Sequence, residues 1–121
     1  MDQWEIEFEW LRLRHWLQER FGYNSLPDLN AVLLLIGIQE LGFVKPSFTK
    51  EEKQDLMHIA VCQLLSAEGY FEFAGRDADG WPHWRPLRHV AVKGMEEQEA
   101  LLIEKAVLYF RAEVLGDSNL Q

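Results

Sequence analysis

Apolar residues recur every three or four positions in the first stretch of the chain, which is the spacing of one face of an α-helix. This pattern predicts a helix from Trp4 to Gly22, and glycine is a residue type that commonly ends helices. Acidic residues come early and arginines come late, as the helix dipole favours. The predicted inward positions are Ile6, Trp10, Leu13, Leu17 and Phe21.

A second stripe of large apolar residues lies on another face of this first helix. Trp4, Phe8 and Leu11 are again three or four positions apart, so they share a face that is distinct from the inward one. A helix that is apolar on two faces has more surface to bury than one small domain supplies. The pattern predicts homodimerisation through this helix, and the alternative is that N-terminal residues fold back over the stripe.

The second predicted helix runs from Ser25 to Gly42, and its middle is apolar around the whole circumference, which indicates burial on all sides. Ser25 is placed to cap this helix and Pro27 to occupy its first turn. Gly37 lies in its interior, where glycine costs about 1 kcal/mol relative to alanine. We therefore expect a neighbouring helix to approach closely at Gly37.

Two further helices complete the set. Thr49 and Glu52 have the spacing of a capping box, which starts the third helix, and Gly69 ends it. The last helix runs from Met95 to Gly116, with acidic residues in its first turns as the helix dipole favours.

Between the third and fourth helices the pattern indicates one β-hairpin. Its first strand begins at Tyr70 and its turn is "DADG", while two prolines in the second arm indicate an edge strand or partial pairing. We predict a type I turn followed by a G1 bulge, because Gly80 suits the positive φ of the bulge. The register then places Arg76 near Trp81, Phe73 near Trp84 and Glu72 near Arg85, and the bulge could shift it by one residue.

These elements predict a mainly α protein, a four-helix array with one β-hairpin between the third and fourth helices. A single α-helical domain would span residues 1–121, with the hairpin inserted at about 70–90. A winged-helix fold is the competing interpretation, since hairpins follow helices there too. The formal net charge of −8 and the bulky apolar second helix argue against a wing that binds DNA.

Composition restricts the compartment and the partners. Cys62 is the single cysteine, which excludes an intrachain disulfide and suits a reducing compartment. The acidic start of the chain does not resemble a secretory signal. The longest apolar run, Ala31 to Ile38, rises about 12 Å as a helix, against about 30 Å for a bilayer core. We predict a soluble cytoplasmic protein with no cofactor, no membrane partner and no nucleic-acid partner.

The hairpin carries the first set of candidate functional residues, because one of its faces would combine the aromatic and basic side chains that are common in protein interfaces. The leading hypothesis is a non-catalytic protein-interaction or homo-oligomerising module that uses this hairpin. The alternative for Trp81 is that its ring covers the edge of its own hairpin. The predicted binding residues are Trp81, His83, Trp84, Arg85 and Arg88.

A second set of residues suggests metal or thiol chemistry. Asp55, His58 and Cys62 share one stripe of the third helix, a spacing that suits metal ligands or a thiolate–imidazole pair. The alternative function is therefore a small metalloprotein or a thiol-dependent enzyme. Its catalytic candidates are His58 and Cys62, and its metal candidates are Asp55, His58, Asp77 and Asp79.

The two aspartates of the turn also resemble the beginning of a calcium-binding loop. A full EF-hand loop needs a glutamate at its twelfth position, and counting from Asp77 that position is Arg88. The turn interpretation accounts for Asp77, Asp79 and Gly80 without a metal ion, so we favour it.

Overall fold

The computed structural model describes residues 1–89 and 94–115. Within these residues the chain forms four α-helices, a two-stranded antiparallel hairpin between the third and fourth helices, and a π-helical turn after the last helix. The mainly α prediction is confirmed. The helices are α1 (Gln3–Phe21), α2 (Leu29–Leu41), α3 (Lys50–Ser66) and α4 (Gly94–Tyr109), and the strands are β1 (Phe71–Arg76) and β2 (Pro82–Pro86).

The described residues fall into two compact units. Residues 1–29 and 94–115 form the first, in which α1 packs against α4. Residues 30–89 form the second, in which α3 packs against both strands of the hairpin. The assignment of residues 1–121 to a single domain stays a prediction.

In the first unit, α1 begins where the side chain of Asp2 accepts a hydrogen bond from the N–H of Glu5, and it ends at Gly22, whose φ is 71°. Phe21 was expected to face inward, but 55% of its surface is exposed, so that prediction is wrong. Phe21 is the last residue of the helix, and the chain turns away at Gly22. Of the other predicted inward positions, Ile6, Leu13 and Leu17 are buried and Trp10 is half-buried.

The prediction that Ser25 caps α2 is wrong, because α2 begins four residues later at Leu29. Pro27 precedes the helix as well, and its carbonyl oxygen accepts a hydrogen bond of 2.7 Å from Nε of Arg14. This bond holds the segment that precedes α2 against α1, and the segment is a connection rather than the first turn of α2. The predicted close approach at Gly37 is confirmed, since a Cβ there would overlap the backbone of Leu56 in α3.

The capping box of α3 is confirmed. The hydroxyl of Thr49 accepts from the N–H of Glu52, and the Glu52 carboxylate accepts from the N–H of Thr49. The last helix begins one residue before Met95, and its predicted end at Gly116 lies outside the described residues. Among the described residues no helix combines the length and the apolarity needed to cross a membrane. A cytoplasmic location stays a prediction.

The hairpin pairs Phe73 with Trp84, and Glu72 with Arg85, as predicted. Arg76 pairs with Pro82, one position from Trp81, which is the one-residue shift that a bulge was expected to allow. A β-bulge in β1 accounts for the difference.

The bulge places Ala74 and Gly75 opposite the single residue His83, with the Gly75 φ at 96°, a value that glycine adopts most readily. The turn between the strands is the predicted one. The N–H of Gly80 donates to the carbonyl oxygen of Asp77 at 3.0 Å, and the Gly80 φ is 87°. Two glycines with positive φ therefore shape the hairpin, one inside β1 and one in the turn.

Candidate functional site

An open cleft of about 310 Å³ lies between α3 and the hairpin, within the second unit. It brings together residues from both candidate sets, because α3 supplies one wall and the hairpin supplies the other. The polar and aromatic residues that line it are Asp55 and His58 from α3, and Asp77, Trp81, His83 and Trp84 from the hairpin and its turn. Neither set by itself predicted that the two would meet.

Trp81 is half-buried and joins the hairpin to the core of the second unit. Its ring packs against the cluster of Leu41, Leu56 and Ile59, and it meets the ring of Phe48 edge-on at a centroid distance of 6.5 Å. The remaining surface of the ring lines the cleft. Trp81 is thus partly a structural residue and partly open to a ligand. Its buried part packs on the helices, whereas the alternative interpretation expected it to cover the edge of its own hairpin.

Asp77 organises the hairpin end of the cleft. Its Oδ1 accepts hydrogen bonds from the N–H groups of Asp79 and Trp81 at 2.9 Å and 3.0 Å, and its Oδ2 lies 2.8 Å from Nε2 of His83. The hydrogen bond with His83, followed by that from the Trp81 N–H, holds the pKa of the Asp77 carboxyl below its usual range. Asp77 is therefore ionised at neutral pH, and both of its oxygens are engaged.

The α3 wall differs from the hairpin wall, because its carboxylate is open. Asp55 is exposed, and its carboxylate makes no hydrogen bond or ion pair with any other residue that the structure describes. His58 lies one turn further along α3, with its ring edge-on to Phe71 at 6.3 Å. The cleft thus combines one engaged carboxylate, one open carboxylate and several aromatic rings.

Cys62 does not reach the cleft surface. The residue is fully buried, and this burial raises the pKa of its thiol to about 11. Its Sγ lies 3.5 Å from Nε2 of His58. A neutral, buried thiol is a poor nucleophile and a poor metal ligand. Over residues 1–89 and 94–115, no group of three His, Cys, Asp or Glu side chains is arranged to hold a metal ion.

The arginines predicted to bind a partner are engaged within the protein. Arg85 forms an ion pair with Glu72 across the hairpin. The guanidinium of Arg88 donates to the carbonyl oxygen of Glu68 at 2.6 Å and lies 4.0 Å from the ring centroid of Tyr70. Neither Arg85 nor Arg88 lines the cleft, so the basic groups of the hairpin are used largely in holding its own shape.

Arg76 has a structural role that sequence reasoning did not identify. Its guanidinium donates to the carbonyl oxygens of Glu40 and Leu41, at 2.8 Å and 2.9 Å, and to that of Gly80 at 2.7 Å. The first two carbonyls belong to the last turn of α2, which has no basic residue of its own. Arg76 therefore supplies the positive charge that a helix C-terminus favours, and it ties the turn to α2.

Trp84 contributes a ring face to the cleft. Its indole N–H is buried and has no hydrogen-bond partner among the described residues, so it does not offer a donor to a ligand. Its ring meets that of Phe73 at a centroid distance of 5.5 Å, and about half of Phe73 is exposed. Aromatic surface therefore continues from the cleft onto the outside of β1.

No protein-family model, curated protein or solved structure matches this chain.

Proposed function

We propose that this protein is a non-catalytic recognition module, and that the cleft between α3 and the hairpin receives a lysine or arginine side chain from a protein partner. The observation that carries the proposal is the open carboxylate of Asp55, which lines the same cleft as the rings of Trp81 and Trp84. A carboxylate beside aromatic rings is suited to a cation.

Two forces would act on such a side chain. A cation over an aromatic face gains about 0.5–1 kcal/mol at exposed sites and about 2 kcal/mol when water is excluded. A hydrogen bond between the cation and Asp55 adds a charge-assisted contact. The net charge of −8 also draws cationic partners towards the protein before contact.

The internal pairing of the arginines supports a cationic rather than an acidic partner. Arg85 pairs with Glu72, and Arg88 is held by Glu68 and Tyr70. An incoming carboxylate or phosphate would meet the ionised Asp77 and the open Asp55 in the cleft, and like charges repel. The cleft thus favours a positively charged ligand, whereas the number of arginines in the hairpin would suggest a negatively charged one.

The same geometry gives less support to the metal or thiol hypothesis. The buried thiol of Cys62 has a pKa raised to about 11, so the thiolate that a nucleophile requires is disfavoured. The cleft holds acid–base groups, but none of them has an activated nucleophile beside it. A recognition role uses the rings and the open carboxylate and needs no reacting group.

The proposal is tested by titrating ¹⁵N-labelled protein with the blocked tripeptide Gly-Arg-Gly and with its neutral citrulline counterpart. We expect the arginine peptide to shift the indole N–H signals of Trp81 and Trp84, and the citrulline peptide to leave them in place. Asp55→Asn should weaken binding about tenfold, which corresponds to about 1.4 kcal/mol. Asp79→Asn is the matched control, because Asp79 is an exposed carboxylate of the same hairpin that does not line the cleft.

Equal shifts with both peptides would overturn the proposal, because binding would then not depend on the charge. Equal affinity of the wild type and Asp55→Asn would also overturn it. The same holds if neither peptide shifts the two indole signals.

A further inference from the structure

The face of α1 opposite its buried residues carries an exposed apolar stripe, which we call the α1 stripe and define as Trp4, Phe8 and Leu11. The three side chains are 67%, 53% and 45% exposed, respectively. The rings of Trp4 and Phe8 lie 6.5 Å apart, and the guanidinium of Arg12 lies 5.9 Å from the centre of the Phe8 ring. The stripe is thus a continuous surface along about two turns of helix.

The area of the stripe is large for a single chain. An aromatic side chain has a surface of about 150–250 Å², so the exposed surfaces of the three stripe residues add up to a few hundred Å². The largest apolar patch on a typical monomer is about 300–600 Å² and is often functional. Met1, three residues before Trp4, is 47% exposed as well.

Charge is distributed unevenly along the same helix. Glu5 lies in the first turn, and Arg12 lies seven residues later on the same side of the stripe, where its guanidinium also pairs with Glu9 at 2.9 Å. Two copies of α1 that pair in the same direction would bring acidic ends together. Two copies that pair in opposite directions around Phe8 bring Glu5 of each copy near Arg12 of the other, and these two residues carry opposite charges.

We propose that the α1 stripe is a homodimer interface, in which α1 pairs antiparallel with α1 of a second copy. Phe8 lies near the two-fold axis, and Trp4 of each copy packs against Leu11 of the other, as the self-complementarity of a two-fold contact requires. Charge complementarity selects the second copy as the occupant. The inference does not rest on the proposed function, because the stripe and the cleft belong to different units.

The first test is sedimentation equilibrium from about 5 µM to about 500 µM protein, a range over which a weak dimer forms by mass action. We expect the wild type to shift from monomer to dimer as the concentration rises. Phe8→Arg should remain monomeric, because the two introduced arginines would face each other across the two-fold axis and repel. Phe21→Arg is the matched control, because Phe21 is 55% exposed on the same helix but outside the stripe. It should dimerise like the wild type.

Far-UV circular dichroism establishes that each variant is folded, which is expected because both phenylalanines are exposed. A wild type that is monomeric throughout the range overturns the proposal, whatever else covers the stripe. So does a dimer that persists in Phe8→Arg, because the interface would then lie elsewhere. Loss of the dimer in both variants overturns it as well, since the stripe would not be the specific contact.

Cysteine cross-linking tests the direction of pairing. In an antiparallel dimer, a mixture of the Trp4→Cys and Leu11→Cys variants forms a mixed disulfide faster than either variant forms one with itself. Cys62 is fully buried and does not compete. Faster disulfide formation within each single variant indicates parallel pairing and overturns the proposed arrangement.

Discussion

Gly37 of α2 lies so close to Leu56 of α3 that a Cβ atom at Gly37 would be 2.1 Å from the Leu56 carbonyl oxygen. Leu56 is fully buried and belongs to the cluster against which Trp81 packs. The close approach of the two helices thus lies beside the cluster that holds the Trp81 ring of the hairpin.

Gly37→Ala should destabilise the protein. Alanine gains about 1 kcal/mol of helix propensity over glycine, but the added methyl group forces the Leu56 backbone away, and such overpacking costs about 1–3 kcal/mol or more. Since the neighbouring atom is backbone and cannot rotate aside, we expect the cost to lie at about 3 kcal/mol, which leaves a net loss of about 2 kcal/mol in the free energy of unfolding in urea. Gln39→Ala, an exposed change in the same helix, should alter stability by less than about 0.5 kcal/mol. Equal stability of the two variants would contradict the close contact.

Arg76→Ala should cost about 2 kcal/mol of unfolding free energy, because a guanidinium that donates to three backbone carbonyls is lost. Arg76→Lys should recover only part of this, since an ammonium group lacks the planar fork of donors. Arg85→Ala is the control, because the exposed Arg85–Glu72 pair is worth less than about 1 kcal/mol. Urea denaturation of the three variants measures the difference, and similar losses for Arg76→Ala and Arg85→Ala would refute the capping role.

The pH dependence of stability should contain a contribution from Asp77. Its pKa is lower in the folded protein than in the unfolded chain, mainly because of the hydrogen bond with His83. The stabilisation is therefore complete above about pH 4, the ordinary aspartate range, and is lost as the pH falls through the lowered pKa. The difference between the urea midpoints of the wild type and of Asp77→Asn should therefore decrease as the pH falls towards 3. The midpoint of Asp79→Asn should have the same pH dependence as that of the wild type. A gap that stays constant with pH would contradict the assignment.

The thiol of Cys62 should be unreactive in the folded protein. With a pKa raised to about 11 by burial, its reaction with a chromogenic disulfide reagent at pH 8 should be at least on the order of 100-fold slower than in urea. Cys62→Ala serves as the blank. A native rate close to that of free glutathione would instead favour the thiol-enzyme hypothesis.

Local signals predicted much of this protein correctly. The Thr49–Glu52 capping box and the turn at Gly80 are confirmed because each depends on residues three positions apart, whose contacts hardly involve the rest of the chain. The Phe73–Trp84 register followed from the same turn. Errors arose where a local signal competed with a contact from elsewhere. Ser25 is a residue type that commonly caps helices. However, the carbonyl oxygen of Pro27, two residues later, accepts a hydrogen bond from Arg14 of α1, and α2 begins only at Leu29.

The sequence by itself determined the mainly α class, the four helices, the hairpin between the last two of them, and the two apolar faces of α1, because these follow from periodicity and local propensity. Only the tertiary structure decided that Asp55 and Trp81 share a cleft and that the guanidinium of Arg76 caps α2. These contacts join residues more than twenty positions apart in the chain. Their geometry depends on how α2, α3 and the hairpin pack against one another, and a pattern along one element carries no information about the distances between elements.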